Sequence, residues 1–296
     1  MTKRLIIFLP LAKSSLDTEF FETYSRAKTY LVQHMDELPW QVEIMEYYCH
    51  TFPIDANRNE CAHRFVEGLP VPGSRVWRAD ISIWIDTDHT IPIDTFVRML
   101  KHERPIILGI YYLKVKKKEN PFYPVIFRRR DDNKDLFKAV MEFPKDKLFE
   151  VDFAGMGAAC IYREVFEKLD PPYFKYMRHP KGTAAVDSEW KNEKNIEDIS
   201  EDRWFWDQVK DKTNYPILVD PLIQFGHIGK IVFDASMYQA WLGAYKQRLI
   251  DEHGREKFEE VWSQMAIATP YKEVEVISGK KAKINKGKSR ILKVSP

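Results

Sequence analysis

The chain has 296 residues, a formal net charge of +2, an aromatic share of 14% and three cysteines. This length buries a sizeable core in one large domain or two modest ones, and the near balance of charge supplies no global field that would select nucleic acid. Cys49, Cys61 and Cys160 lack C-x-x-C spacing, which argues against a disulfide framework and a cysteine zinc site, so a reducing, cytoplasmic compartment is expected.

The opening segment imitates a signal peptide, with Lys3 and Arg4 ahead of an apolar run. The run is very short, and it is read as a first strand over 4–9. A helical stretch follows over 15–37, then a strand over 41–47 and a helix over 55–68, with Asp55 where a cap belongs. A buried strand is expected at 81–85, a helix at 93–102 with Asp94 as cap and Pro92 at its boundary, and a strand at 106–111. Further on come a strand at 158–162, a helix at 163–169 and a short strand at 217–219.

Residues 171–200 interrupt this rhythm with Pro171-Pro172, several aromatics and a charged polar run, as a functional lid or a disordered insert would. Two helices, 233–253 and 255–266, are separated by Gly254 as a stop signal. Their Trp241, Leu242, Tyr245, Leu249 and Trp262 are expected to pack on the rest of the protein. Basic residues gather after Gly279 in a solvated tail. Strands alternating with helices predict an α/β fold with a mostly parallel sheet, organised as a domain over 1–230, a helical extension over 231–278 and a basic flexible tail over 279–296. No apolar stretch reaches about 18 residues, so no membrane span is expected.

The most informative stretch is the apolar run Ile81-Ser-Ile-Trp-Ile85 ending in Asp86-x-Asp88. The carboxyl end of such a strand is where open α/β sheets place ligands, and two acids at a strand-to-loop turn suit a hard divalent cation. Asp and Thr also serve as ordinary turn residues. Three more segments bear on the choice: a glycine turn, strand and helix from Val151 through Gly155 and Gly157 to Phe166; a helix opened by Ser200-Glu201-Asp202; and a closing strand that runs into Gly226-His227.

In this order the motifs resemble the GT-A class of nucleotide-sugar glycosyltransferases, in particular glycosyltransferase family 2, over about residues 4–230. The resemblance implies a GT-A, Rossmann-like catalytic domain. It also implies transfer of a sugar from a nucleoside diphosphate donor, a UDP-sugar by preference, to an acceptor hydroxyl with Mn²⁺ or Mg²⁺. By the family pattern Asp88 coordinates the metal, Asp86 holds the ribose or a metal-bound water, and His227 is a further ligand. Pro10 and Leu11 clamp the nucleotide base through their backbone, and Arg58 and Asn59 reach a phosphate or the ribose. Gly155 and Gly157 let the chain pass under the donor sugar, and Asp202, with Glu201 as substitute, is the base of an inverting transfer. Residue by residue, other roles stay open. His227 fits a turn, the glycines fit a tight turn before a strand, Arg58 and Asn59 fit a solvated helix face, and Ser200 with two acids fits a helix cap.

The same strand-Asp-x-Asp pattern also matches haloacid-dehalogenase-like phosphatases, with Asp86 as nucleophile and Asp88 as acid and base. That motif belongs on a first strand, whereas some eighty residues precede it here. A nucleic-acid module built on Arg128 to Arg130 and the tail lysines lacks any recognised motif; the tail fits better as an aid to approaching an anionic acceptor or surface. Neither a Walker loop nor a dinucleotide glycine pattern is present.

Overall fold

β-Branched and leucine-rich runs form the centre of the molecule because they are apolar at every position and can be covered on both sides. The computed structural model describes residues 1–11, 16–71, 76–113, 123–130, 137–176, 200–229 and 232–265. In chain order these hold β1 (Thr2–Pro10), α1 (Thr18–Gln33), a short 3₁₀ turn (Met35–Glu37), β2 (Gln41–Cys49), α2 (Ile54–Glu67), β3 (Ile81–Ile85), β4 (His89–Thr90) and α3 (Thr95–Lys101). Next come β5 (Ile106–Ile110), β6 (Ile126–Arg129), β7 (Phe137–Ala139), β8 (Phe149–Val151), β9 (Phe153–Ala154), β10 (Ala158–Tyr162) and α4 (Arg163–Phe166). The described chain closes with α5 (Glu201–Lys212), β11 (Ile217–Gln224), β12 (Gly226–Ile228), β13 (Val232–Phe233), α6 (Ala235–His253) and α7 (Arg255–Met265).

The main sheet has the order β2-β1-β3-β10-β5-β11-β8. β1 lies parallel to β2 and β3, and β5 to β11, while β10 runs antiparallel between β3 and β5 and β8 runs antiparallel at the edge. The expected mostly parallel α/β sheet is therefore present. Alternation along β1 divides its side chains between two cores: Leu5, Ile7 and Leu9 face α1 and α3, and Ile6 and Phe8 face the opposite layer. The first core takes Phe20, Tyr24 and Leu31 from α1 and Phe96 and Leu100 from α3. The second takes Phe65 from α2, Phe205 and Trp206 from α5, and Tyr238, Leu242, Leu249 and Trp262 from the last two helices. Each such side chain contributes about 1.5–3 kcal/mol when fully buried. Trp241 and Tyr245 stack at 4.8 Å beside that core, so the C-terminal aromatics pack as the sequence suggested.

Several boundaries differ from the sequence reading for local reasons. Pro53, not Asp55, is the N-cap of α2, and the Asp55 carboxylate accepts from the adjacent Ala56 N–H instead. Asp94 does stand at the N-cap of α3, yet its carboxylate binds Arg98 one turn on rather than a backbone N–H. β11 continues past Val219 to Gln224 through a register shift between those two residues, and Pro221 within it ends the readable pattern. Two small three-stranded sheets, β13-β12-β4 and β7-β6-β9, were not foreseen, because strands of two to four residues carry no periodicity.

The chain leaves β1 toward β2 on one side and later returns to β3 on the other. The carboxyl ends of β1 and β3 thus flank a point where connections diverge, the place at which open α/β sheets leave a crevice.

Candidate functional site

β3 is buried at all five positions and delivers Asp86 at its end. The Asp86 N–H donates to the Gly157 carbonyl at 3.2 Å, holding the strand end against the turn before β10. Its carboxylate accepts twice from Nη2 of Arg58, at 3.0 and 3.2 Å. Arg58 lies on α2 and is only 3% exposed; its Nη1 donates to Glu201 at 2.7 Å and also to Asp202. One guanidinium therefore ties α2, the end of β3 and the first turn of α5. A buried cation is tolerated when ion partners surround it, and the three carboxylates hold Arg58 in its charged form.

α5 starts here because Ser200 caps it, accepting from the Arg203 N–H at 3.3 Å, and Glu201 and Asp202 occupy the positive end of the helix dipole. Asp202 also accepts from the Met156 N–H at 3.2 Å. Burial raises its proton affinity, Arg58 opposes the rise, and Glu201 and Asp86 add to it, so the carboxyl is pushed up to about 7.

The second half of the site rests on the ladder between β4 and β12, which sets His89 directly opposite His227. Opposed side chains on neighbouring strands share one face. The Tyr112 carbonyl accepts from Nδ1 of His227 at 2.8 Å, and Nε2 of the same ring meets the Asp88 carboxylate at 3.3 Å. The Gly157 carbonyl accepts likewise from Nδ1 of His89 at 3.2 Å, leaving Nε2 of that buried ring without a partner. Burial pushes His89 down to about 4, so the ring is neutral near pH 7. Donor atoms of Asp88, His89 and His227 lie within 4.8 Å of one another. The set fits a divalent cation, since a carboxylate and two imidazoles are ligand types such a cation takes and their atoms converge. Across both halves the site gathers four carboxylates, those of Asp86, Asp88, Glu201 and Asp202, of which the first and the last two share the Arg58 guanidinium, an excess of negative charge that a cation would offset.

Asp86-x-Asp88 is thus split between two tasks. Asp88 and His227, expected as metal ligands, enter the acceptor cluster; Asp86 does not, because Arg58 takes both its oxygens. The same engagement disfavours Asp86 as a free phosphatase nucleophile. Arg58 is not a solvated or phosphate-seeking side chain but the buried tie among three acids. Asn59 is also committed: its side chain donates to the Phe174 carbonyl and accepts from the Phe174 N–H at 3.1 Å. Pro10 and Leu11 lie at the β1 end as expected, with the Pro10 carbonyl facing Thr87 at 3.5 Å and the Leu11 N–H donating to Cys49 at 2.8 Å.

Gly155 and Gly157 are required by the protein itself. A Cβ at Gly155 would stand 1.5 Å from the Tyr111 hydroxyl, and one at Gly157 would stand 2.4 Å from the Asp86 carboxylate and 2.7 Å from the His89 ring. Their missing side chains admit Tyr111, Asp86 and His89, where the sequence reading assigned the room to a sugar. His89 and Tyr111 are the residues sequence reasoning passed over. The signal for His89 was its place directly after Asp88, but its partner across β12 is visible only after folding.

Among the aromatics after Asp202, Phe205 and Trp206 are core residues, and Phe205 stacks on Phe174 at 4.8 Å. Trp204 donates from its indole to the Pro172 carbonyl at 3.0 Å. Residues 171–176 are therefore fastened to α5, whereas 177–199, the greater part of the expected lid, and the basic tail lie outside the described residues. Arg128 donates to the Glu150 carbonyl and Arg129 to Asp207, which ties these two arginines to the edge strand β8 of the main sheet and to α5.

Among the described residues, no helix is long and apolar enough to cross a membrane. No family model and no curated protein matches the chain. Among solved structures, the chain is similar to A197 from STIV, with 17% identity and a TM-score of 0.40 over 76% of this chain and 86% of that one. It is also similar to GalNAc-T7, whose structure was determined with UDP, GalNAc and Mn²⁺, with 9% identity and a TM-score of 0.44 over 77% of this chain and 43% of that one.

Proposed function

We propose that this protein is a metal-dependent glycosyltransferase that moves a sugar from a nucleoside diphosphate donor, a UDP-sugar by preference, to an acceptor hydroxyl. The observation that carries this reading is the pairing of two clusters at the strand ends: acceptor atoms of Asp88, His89 and His227 on one side, and the Arg58-bound acids with Asp202 on the other. A cation held by Asp88, His89 and His227 would supply Lewis-acid stabilisation to the diphosphate leaving group. The excess negative charge of the site repels a bare diphosphate, which makes donor binding dependent on the cation.

Asp202 then acts as the base of an inverting transfer. Its affinity for a proton, raised to about 7, suits removal of a hydroxyl proton at neutral pH, and the bonds to Arg58 and the Met156 N–H fix its orientation. Glu201 shares Arg58 and keeps the helix start in place, with the base role as its alternative. The lysine-rich tail would draw in an anionic acceptor or surface, in which case removing residues after Gly279 weakens acceptor binding and its salt dependence. The three free thiols favour a cytoplasmic setting.

Thermal unfolding against a panel of nucleoside diphosphates and nucleotide sugars, each with and without Mn²⁺, tests the proposal. At about 100 times its Kd, a ligand adds roughly 2.7 kcal/mol, a midpoint rise of several degrees. The expected result is a rise that requires both the metal and one nucleotide. No rise with any nucleotide, together with turnover of a generic phosphate ester, would replace this reading by the phosphatase.

A further inference from the structure

We propose that His89 is a direct metal ligand and that, with Asp88 and His227, it forms a two-imidazole, one-carboxylate site selective for first-row transition cations over Mg²⁺ and Ca²⁺. This rests on the metal-dependent reading above, but it assigns a ligand and a selectivity that Asp-x-Asp with a distant histidine does not imply.

Three observations support it. Ladder pairing places the His89 and His227 side chains on one face, with ring centroids 4.7 Å apart. Both Nδ1 atoms are spent on backbone carbonyls, which leaves Nε2 as the atom each ring can offer to a cation; such second contacts orient histidines toward metals. His89 is fully buried, and its Nε2 meets no donor, a costly state for a polar atom unless something is bound. The 3.3 Å between His227 Nε2 and Asp88 Oδ2 is close to the ~3 Å that separates adjacent ligands around a cation with bonds of about 2.1 Å. Asp88 is the most exposed of the three, with 38% of its side chain in solvent, and gives the cation an entry path.

Selectivity follows from the donors. Mg²⁺ and Ca²⁺ prefer oxygen and retain water, whereas imidazole suits later cations, with affinity rising from Mn²⁺ through Co²⁺ to Ni²⁺. The arrangement of Asp86 reinforces this, since Arg58 withholds the second carboxylate that would make the site oxygen-rich.

The test uses the full chain and metal alone, without nucleotide. Titration calorimetry should rank Ni²⁺ and Co²⁺ above Mn²⁺, and Mn²⁺ well above Mg²⁺. His89→Ala should weaken Mn²⁺ and Co²⁺ binding by more than the roughly 10–100-fold that outer contacts cost, with little effect on Mg²⁺. Nitrogen couplings in the pulsed electron paramagnetic resonance of Mn²⁺ bound to the wild-type chain should count two imidazoles, a readout that survives even if the variant does not fold. One coordinated imidazole, or equal affinity for Mg²⁺ and Mn²⁺, overturns the proposal. Failure here is separable from failure of the glycosyltransferase reading. Two imidazoles without any metal-dependent nucleotide binding would sink only the latter, and nucleotide binding with a single imidazole would sink only the former.

Discussion

Replacing Arg58 by methionine is the sharpest perturbation of the site, because one guanidinium there serves three acids from two segments. The Arg58 side chain is 4% exposed, and its partners Asp86, Glu201 and Asp202 are 26%, 11% and 15% exposed. Methionine keeps most of the apolar stem, so the cost falls on the acids left behind. Removing one partner of a buried ion pair costs about 3–5 kcal/mol. Asp86 retains some water and Glu201 and Asp202 little, which places the expected loss near 4 kcal/mol at pH 8. With a urea slope of about 3 kcal/mol/M, the unfolding midpoint should fall by roughly 1.3 M.

The loss must also depend on pH. Arg58 opposes the rise in the proton affinity of Asp202, so its removal lifts that carboxyl above about 7, while the unfolded chain keeps the ordinary value. A folded-state pKa above the unfolded one gives stability that is complete at low pH and is lost as pH rises through the folded value. The deficit of Arg58→Met should therefore be smaller at pH 5 than at pH 8. Urea melts at both values, followed by tryptophan fluorescence, read this directly. A loss below 1 kcal/mol at pH 8, or one that is the same at both pH values, would refute the claim that Arg58 neutralises buried acids.

Three further outcomes are expected. Asp202→Asn should keep metal-dependent donor binding and lose transfer, whereas wild-type transfer should rise with pH through about 7; normal transfer by the variant would remove Asp202 as the base. Gly157→Ala should cost about 1–3 kcal/mol and weaken Mn²⁺ binding, because its Cβ meets the Asp86 carboxylate and the His89 ring; an unchanged melting midpoint and metal affinity would show that the turn has room. Asn59→Ala should lose about 1–3 kcal/mol by stripping both partners from the Phe174 backbone, and hydrogen exchange at Phe174 should quicken while Mn²⁺ affinity holds; slower or unchanged exchange would contradict the tie.

Much of this protein was legible in the residues because local pattern and burial agree. The run Ile81–Ile85 is apolar throughout and became a central strand with the bounds expected, and Asp86 and Asp88 stand at its carboxyl end where the α/β pattern placed a ligand. Ser200 capped its helix, and Asp202 sits in the first turn beside other acids. What the residues could not show is which side chain meets which over long separations. Arg58 and Asp202 are 144 positions apart, and their contact depends on α2 and α5 both covering one face of the sheet. The pairing of His89 with His227 depends on a two-residue strand too short to have a period. Gly155 and Gly157 were recognisable as glycines needing room, but tertiary packing alone decided that Tyr111, Asp86 and His89 fill it. Sequence thus determined the sheet and the acids at its edge, through short-range periodicity and hydrophobic burial. The tertiary structure decided how Asp86 and Asp88 divide, because side-chain partners are chosen by distance in space, which chain order does not encode.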